Sequence, residues 1–409
     1  MTRLRTGTTT LIRDLNRAAV LDLIGREGPI ARAELARRLG LSKPTLTALA
    51  KEFLDEGVVQ IVERGPPRGG RPPILLGLVA AAAHAVGIKV APDHVVGVRA
   101  DLEGTVLDRF EERFDPHAPD AIDVLAEQVR PWLHKPRSDP STLLGVGIGL
   151  PGVVDSPRSG VVRSPMLGWN DVPLGATLAK CLQVPVVVEN DVNTLAVAER
   201  LYGRGRTVEN FLTVTIGRGV GLGIVVRGDV YRGMGGGAGE FGHVTVDPLG
   251  SRCDCGKRGC LETFVADPAL VTRGVKERLL QPGQDVAALR ALADAGDELA
   301  RAIYADAGAQ LGRAVAGLVN VLSPELVIVA GEGTAAWRHL RRRFERTLRK
   351  EIMEPLRNVT VQVDRWDDDK WALGAAALVL RAPFAPPLYT GADELIRERL
   401  ARGTDVVAA

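Results

Sequence analysis

Three of the chain's four cysteines fall within eight positions, in the run Cys253-Asp-Cys255-Gly-Lys-Arg-Gly-Cys260-Leu-Glu262, ten residues after His243. Three thiolates and one imidazole make a full tetrahedral ligand set for zinc. A full set leaves no open position, so the spacing points to one structural Zn2+ per chain, held by His243, Cys253, Cys255 and Cys260. Gly256 and Gly259 supply the backbone freedom that a tight knuckle needs. The plainer alternative is structural thiols beside an unrelated histidine. A metal knot also constrains its neighbours. Glu240 lies three residues before His243 and Glu262 two after Cys260, so the ion would brace two acidic groups.

Cys181, the one cysteine outside this run, reads as a small buried core residue. So few cysteines argue against a disulfide scaffold and for a reducing, cytoplasmic setting. No apolar run reaches membrane-spanning length and no signal-peptide core is present, so no membrane partner is expected. At 409 residues the chain is too long for one ordinary core, and two or three domains are expected. The net charge of +2 is unevenly spread: residues 1–73 hold 13 Lys/Arg against 8 Asp/Glu, which leaves the remainder slightly acidic. A basic head suits a polyanion partner, although an excess of this size is often only a solvated surface.

Residues 14–27 carry an amphipathic stripe that includes Leu15, Ala19, Val20, Leu23 and Ile24, and Gly28-Pro29 stops it. A second short helix covers 31–39. A third runs from about Lys43 to Glu56, with Ser42 at the N-cap and Pro44 in the first turn. Its inward stripe is Leu46, Leu49, Ala50, Phe53 and Leu54, which leaves Lys43, Thr45, Thr47 and Ala48 on the open side; Ser42, Lys43, Thr45 and Thr47 are the candidate DNA contacts. This is a helix-turn-helix layout, with an open face small enough to enter a major groove. Strands at Val58–Glu63 and Ile74–Leu78 flank a Pro- and Gly-rich loop that carries Arg68 and Arg71, so the head reads as winged. The two arginines would reach phosphates or a minor groove. A three-helix protein-interaction module is the alternative.

The pattern changes after Leu78. Strands at Ala85–Val90, Val95–Ala100, Val106–Glu112, Leu143–Leu150, Val184–Val188, Phe211–Ile216, Leu222–Val226 and Leu326–Ala330 mix with helices at 119–134, at Thr194–Tyr202 and across roughly 268–320. That mixture indicates an α/β body. Asn190 and Asp191 follow a buried strand, where ligands gather in such folds. An amide beside a carboxylate matches the donor and acceptor character of sugar hydroxyls. The same two residue types are equally the preferred N-caps of a helix. The turn Gly217-Arg-Gly-Val-Gly-Leu-Gly223 has phosphate-loop character, but glycine turns are common in hairpins.

Taken together, Glu189-Asn190-Asp191-x-Asn193, Gly239-Glu240-x-Gly242-His243 and Cys253-x-Cys255-Gly-x-x-Gly259-Cys260-x-Glu262 resemble the ROK family of repressors, open reading frames and kinases. The likeness covers most of the chain. The winged head, with Gly69-Gly70-Arg71-Pro72-Pro73, resembles the family's transcriptional-regulator branch. The resemblance implies a two-lobed, actin-like (ribonuclease H-like) sugar-kinase fold behind a winged helix-turn-helix. The implied boundaries are 1–80 for the head and 81–387 for the sugar-binding domain. Its first lobe would take about 81–200 with about 371–387, and its second about 201–370. A helical tail would occupy 388–409. The resemblance also implies a sugar held by Gly152, Asn190, Asp191, Glu240, His243 and Glu262, with His243 using one ring nitrogen for the metal and the other for a hydroxyl.

In kinase members the counterpart of Asp191 is the catalytic base, and a first phosphate loop of the form Asp-x-Gly-Gly-Thr-Lys holds ATP. Here that stretch is Lys89-Val-Ala-Pro-Asp-His94, and Arg218 stands in the second loop where threonine is usual. Proline and aspartate remove the free N–H groups and close approach that phosphates require. The expectation is therefore no catalytic residue. The chain is expected to be a repressor of carbohydrate genes that binds a palindromic operator as a dimer or tetramer and is released by a monosaccharide or derivative. An ATP-dependent sugar kinase with an added DNA module is the rival reading. A DNA binder indifferent to sugars is a third.

Overall fold

The computed structural model describes residues 9–64, 74–133, 142–156, 159–364, 367–384, 396–397 and 399–400. The chain divides into two compact units, residues 1–207 with 368–409, and residues 208–367.

The first unit opens with the head. Helix α1 (Thr9–Glu27) starts five residues before the stripe read from the sequence and buries Val20, Leu21, Leu23 and Ile24. Strand β1 (Ile30–Ala31) is too short to show a period and leads into α2 (Arg32–Leu39). Gly40, at φ 65°, closes α2 in the left-handed region that favours glycine. Helix α3 (Lys43–Asp55) buries Leu46, Leu49, Ala50 and Phe53. Arg17 of α1 pairs with Glu52 and Glu56, and its guanidinium lies 4.7 Å from the Phe53 ring centroid, which ties α1 to α3. Strands β2 (Val59–Arg64) and β3 (Ile74–Leu78) pair antiparallel, with β1 on the far side of β3. The head is a helix-turn-helix with a strand pair. The loop carrying Arg68 and Arg71 lies outside the described residues.

The chain continues through β4 (Ala83–Val90), β5 (His94–Asp101), β6 (Val106–Arg113), α4 (Ala121–Val129) and β7 (Thr142–Leu150). Helix α4 is shorter than the 119–134 expected. Beyond Val129 the chain tightens into a 3-10 turn over Arg130–Leu133, where Pro131 lacks the N–H that an α-helix would use. Strands β8 (Val153–Val154), β9 (Val161–Ser164) and β10 (Trp169–Pro173) then form a small sheet. Helix α5 (Leu174–Leu182), β11 (Val186–Asn190) and α6 (Asp191–Leu201) follow. Cys181 is half-buried at the edge of the core rather than sealed within it.

The second unit holds β12 (Phe211–Ile216), β13 (Val220–Val226), β14 (Asp229–Val230), α7 (Glu262–Val265), α8 (Asp267–Lys276), α9 (Val286–Ala295), α10 (Glu298–Leu322), β15 (Leu326–Ala330), α11 (Trp337–Glu351) and β16 (Thr360–Val363). The helical stretch expected across 268–320 is three helices. Gly296 ends α9 at φ 104°, and Asp297 then caps α10 by accepting the Ala300 N–H at 2.8 Å. Along α10, Gly308 and Gly312 face the backbone of α11 at Leu340 and Phe344, so the two helices pack closely. The chain then returns to the first unit as α12 (Asp368–Leu380).

The two large sheets have one plan. Their orders are β6-β5-β4-β7-β11 and β14-β13-β12-β15-β16. In one, β4, β5 and β6 form an antiparallel meander and β4, β7 and β11 pair parallel; in the other, β12, β13 and β14 form the meander and β12, β15 and β16 pair parallel. Strands β4 and β7 are buried along their whole length, as a strand covered on both faces must be. One cover is α12, whose Ala372, Ala375 and Ala376 lie directly over Gly87 and Gly147. Any side chain at either glycine would strike the helix backbone. At its start, Asp368 pairs with Lys89, and Asp369 accepts from Arg109 at 2.5 Å. At the far end of the chain, Ile396 and Leu400 are buried, and Arg399 donates to the Leu143 carbonyl at 3.2 Å. Among the described residues no helix is long and apolar enough to cross a membrane.

Candidate functional site

In the first unit, β11 delivers Asn190 to the start of α6. The Asn190 Oδ1 accepts from Val192 N at 2.9 Å and Asn193 N at 3.2 Å, so it is the N-cap. Its Nδ2 donates to the Gly152 carbonyl at 3.0 Å, which joins the β7–β8 turn to the helix start. Gly152 sits at φ 121° against the backbone of Arg163 and Ser164, a place that admits only glycine. Asp191, half-buried, accepts from Val192 N at 2.8 Å. Gly152, Asn190 and Asp191 thus occupy one spot. Glu189 was quoted in the sequence motif but given no role. Its buried carboxylate accepts from Asn190 N at 2.9 Å and Asn193 Nδ2 at 3.1 Å, and so fixes the turn from beneath. The available signal was a carboxylate at the end of an apolar, buried strand, because a carboxylate there needs donors.

In the second unit, ligand atoms of His243, Cys253, Cys255 and Cys260 all lie within 4.8 Å of one another, and none of the cysteines forms a disulfide. The Cys253 Sγ is 3.5 Å from His243 Nδ1, and the Cys255 and Cys260 sulfurs are 3.6 Å apart. Thiolates about 2.3 Å from a central ion would stand about 3.8 Å apart at tetrahedral corners, so the four donors fit a metal ion. Gly259 makes the knuckle possible. It lies at φ 63° with the Asp247 carbonyl where a side chain would start, and its own carbonyl accepts from Val246 and Asp247 N–H groups. Burial and two neighbouring thiols push the Cys260 thiol up to about 12, whereas the Lys257 N–H holds Cys255 below its ordinary value. A cation is the partner that would offset the cost of ionising the buried thiol.

The acidic groups lie beside this cluster. His243 Nε2, on the far side of the ring from Cys253, is 3.8 Å from Glu240 Oε2. Glu262 opens α7, and its Oε2 accepts from Val220 N at 3.3 Å and lies near Gly219 and Gly242. The Leu261 N–H donates to the Val244 carbonyl at 2.9 Å, which holds the Glu262 segment to the His243 segment.

The turn read as Gly217–Gly223 is only Gly217–Gly219, because β13 starts at Val220; there the carboxylate of Glu332 packs against Gly217, and the Arg218 N–H points to its Oε2 at 3.4 Å. Asp267 donates its N–H to the Gly217 carbonyl at 2.8 Å. Burial, with the charge of Glu332 second, pushes its carboxyl up to about 6, and Arg290 and Arg218 oppose the shift. In the first unit Lys89 is buried and its ammonium lies 5.3 Å from the Trp371 ring centroid. In the head, the Ser42 Oγ accepts from Thr45 N at 3.2 Å and sits 2.8 Å from the Thr45 Oγ1, while Thr47 Oγ1 donates to the Lys43 carbonyl. Ser42, Lys43 and Thr47 are exposed and Thr45 is half-buried.

A sequence model of the ROK family matches residues 85–382, and one of the MarR family matches residues 14–71. The xylose repressor of Bacillus subtilis is 32% identical over 323 residues, 78% of this chain and 83% of that protein. The DNA-binding transcriptional dual regulator NagC of Escherichia coli is 29% identical over 391 residues, 92% of this chain and 95% of that protein. A crystal structure of a ROK family transcriptional regulator, a homologue of the E. coli MLC protein, superposes with a TM-score of 0.80 at 25% identity, covering 96% of this chain and all of that one. A ROK family glucokinase from Streptomyces griseus, in complex with glucose and AMPPNP, gives a TM-score of 0.62 at 26% identity, covering 72% of this chain and 99% of that one.

Proposed function

Because this chain belongs to the ROK family, we propose that it is a DNA-binding transcriptional repressor whose grip on its operator is set by a monosaccharide. The observation that carries this reading is the union in one chain of a MarR-type head and a ROK domain, matched end to end by a family regulator. The head, within residues 1–80, reads a palindromic operator as part of a symmetric dimer, with Ser42, Lys43, Thr45 and Thr47 on the groove face and Arg68 and Arg71 in the wing. Gly152, Asn190, Asp191, Glu240, His243 and Glu262 bind the sugar. Xylose and N-acetylglucosamine, named for its relatives, head the panel of candidates.

The metal is zinc, held by His243, Cys253, Cys255 and Cys260. Its support is the sulfur spacing and the orientation of His243, whose Nδ1 faces Cys253 while Nε2 faces Glu240. A histidine so held has its tautomer set by the metal and can donate to a ligand hydroxyl. The zinc contributes folding energy and orientation, not reaction chemistry.

The kinase reading is the weaker one. Lys89 and Asp368 use each other where the family's kinases keep a phosphate loop. The Glu332 carboxylate lies against the second loop, where it would repel phosphate oxygens. A mobility-shift titration of the operator against a sugar panel, with zinc present, tests the proposal. A sugar that shifts the operator Kd supports it, and no response from any sugar overturns it. ADP release with hexoses and ATP, lost in Asp191→Asn, would restore the kinase.

A further inference from the structure

We infer that Arg206 is the positioning residue that passes the state of the Asn190 end of α6 to the DNA-binding head. This rests on the sugar-responsive reading above. The Arg206 Nη2 donates to the carbonyls of Gly25 at 3.2 Å and Arg26 at 2.5 Å. Both belong to the last turn of α1, where carbonyls lack helical partners and the helix dipole favours a cation. Arg206 Nε is buried and finds no acceptor among the described residues, so the guanidinium is anchored through Nη2 on these two carbonyls.

The segment that carries Arg206 is fastened to α6. Arg200 Nη1 donates to the Arg206 carbonyl at 3.0 Å. Glu199 accepts from Arg204 N through its side chain at 2.8 Å and from Gly205 N through its carbonyl at 2.9 Å. Glu199 is 6% exposed, which leaves this turn little room to rearrange. The opposite end of α6, about 16 Å away at 1.5 Å per residue, is the Asn190 cap beside Asp191. One stiff helix therefore links the proposed hydroxyl-binding pair to a guanidinium on the head. Arg206 also stands one residue before Thr207, where the first unit gives way to the second. Any displacement of α6 or of this crossing reaches α1, which is tied through Arg17 to the groove-facing helix α3.

The test uses full-length wild type, Arg206→Ala and Arg206→Lys, with operator affinity measured by fluorescence anisotropy with and without a sugar that shifts the wild type. Sugar affinity comes from calorimetry, and folding from the unfolding midpoint. Coupling in wild type is expected within the usual range of about 5–150-fold. In Arg206→Ala the sugar still binds with wild-type affinity, but its effect on operator Kd falls to within about twofold, and Arg206→Lys retains part of it. Should Arg206→Ala fail to fold, Arg206→Lys and Arg206→Gln carry the comparison. A folded Arg206 variant that shows the full wild-type response overturns the inference and leaves the repressor reading intact. A wild type that no sugar affects overturns both.

Discussion

Lys89 and Asp368 form an ion pair inside the first unit, between the end of β4 and the first turn of α12. The ammonium is nearly sealed from solvent and flanked by Trp371. The pair secures the helix that returns the chain from the second unit.

Breaking that pair should be costly, because it strands a charge in a poorly solvated place. Lys89→Met and Asp368→Asn should each lower stability by about 2–3 kcal/mol, less than a fully buried pair would lose because Asp368 is partly exposed. The double variant should cost clearly less than the sum, as coupled partners do. Urea unfolding of all four proteins measures it, and strict additivity would show that the two residues act independently.

Asp191→Asn keeps an acceptor for the Val192 N–H, so the start of α6 should survive. A sugar hydroxyl that donated to the carboxylate loses a charge-assisted bond of roughly 1.5–3 kcal/mol, or about 10–150-fold in Kd. Asn190→Ala should additionally cost about 1 kcal/mol of stability through the lost cap. Calorimetry with the effector sugar and thermal melts separate the two effects. Unchanged sugar affinity in both variants would remove this pair from the binding site.

Purified protein should carry one zinc per chain by elemental analysis. Cys255→Ser should lower both metal content and melting temperature, and should weaken sugar binding about tenfold or more by releasing Glu240 and Glu262. Normal sugar affinity in a metal-free variant would show that the ion does not position those carboxylates.

Asp267 gives a pH signature. Its folded value, about 6, lies above the ordinary carboxylate value because of burial and the nearby Glu332. The ionised form is thus the one the fold disfavours. The stabilisation is complete below about pH 4 and is lost as pH rises through about 6. Asp267→Asn should flatten the stability profile between about pH 4 and 6.5, and should exceed wild type by on the order of 2 kcal/mol at pH 8, allowing for partial exposure. Unfolding midpoints across that range decide it. Parallel profiles would place the carboxyl at its ordinary value.

The head and the α/β class were legible because their signals are local. The stripe from Leu46 to Phe53, the Ser42 cap and the apolar runs of the long strands each need only neighbouring residues. The metal cluster was legible for the same reason, since three of its four ligands lie within eight positions. What the sequence hid is non-local. That the two sheets share one strand order cannot be seen from strands read singly. The small β8–β10 sheet is built from pieces too short to show a period. Helix α11 has a clear apolar face at Leu340, Phe344 and Leu348, but its seven Lys/Arg residues obscured it. Of the site residues, Asn190 was readable as either cap or ligand, and the cap is what its hydrogen bonds show. Glu189 was given no role and Arg206 escaped notice because their partners are a buried turn and a helix end 180 or 181 residues away.

The first unit is discontinuous in sequence, and that has a consequence for synthesis. Strands β4 and β7 wait for α12, whose small residues fit against Gly87 and Gly147, so on the ribosome one face of their sheet stays bare until residue 380 has been made. The second unit, an uninterrupted stretch, has all its strands available earlier and can complete its core first. The sheet begun second can therefore close its core before the sheet begun first.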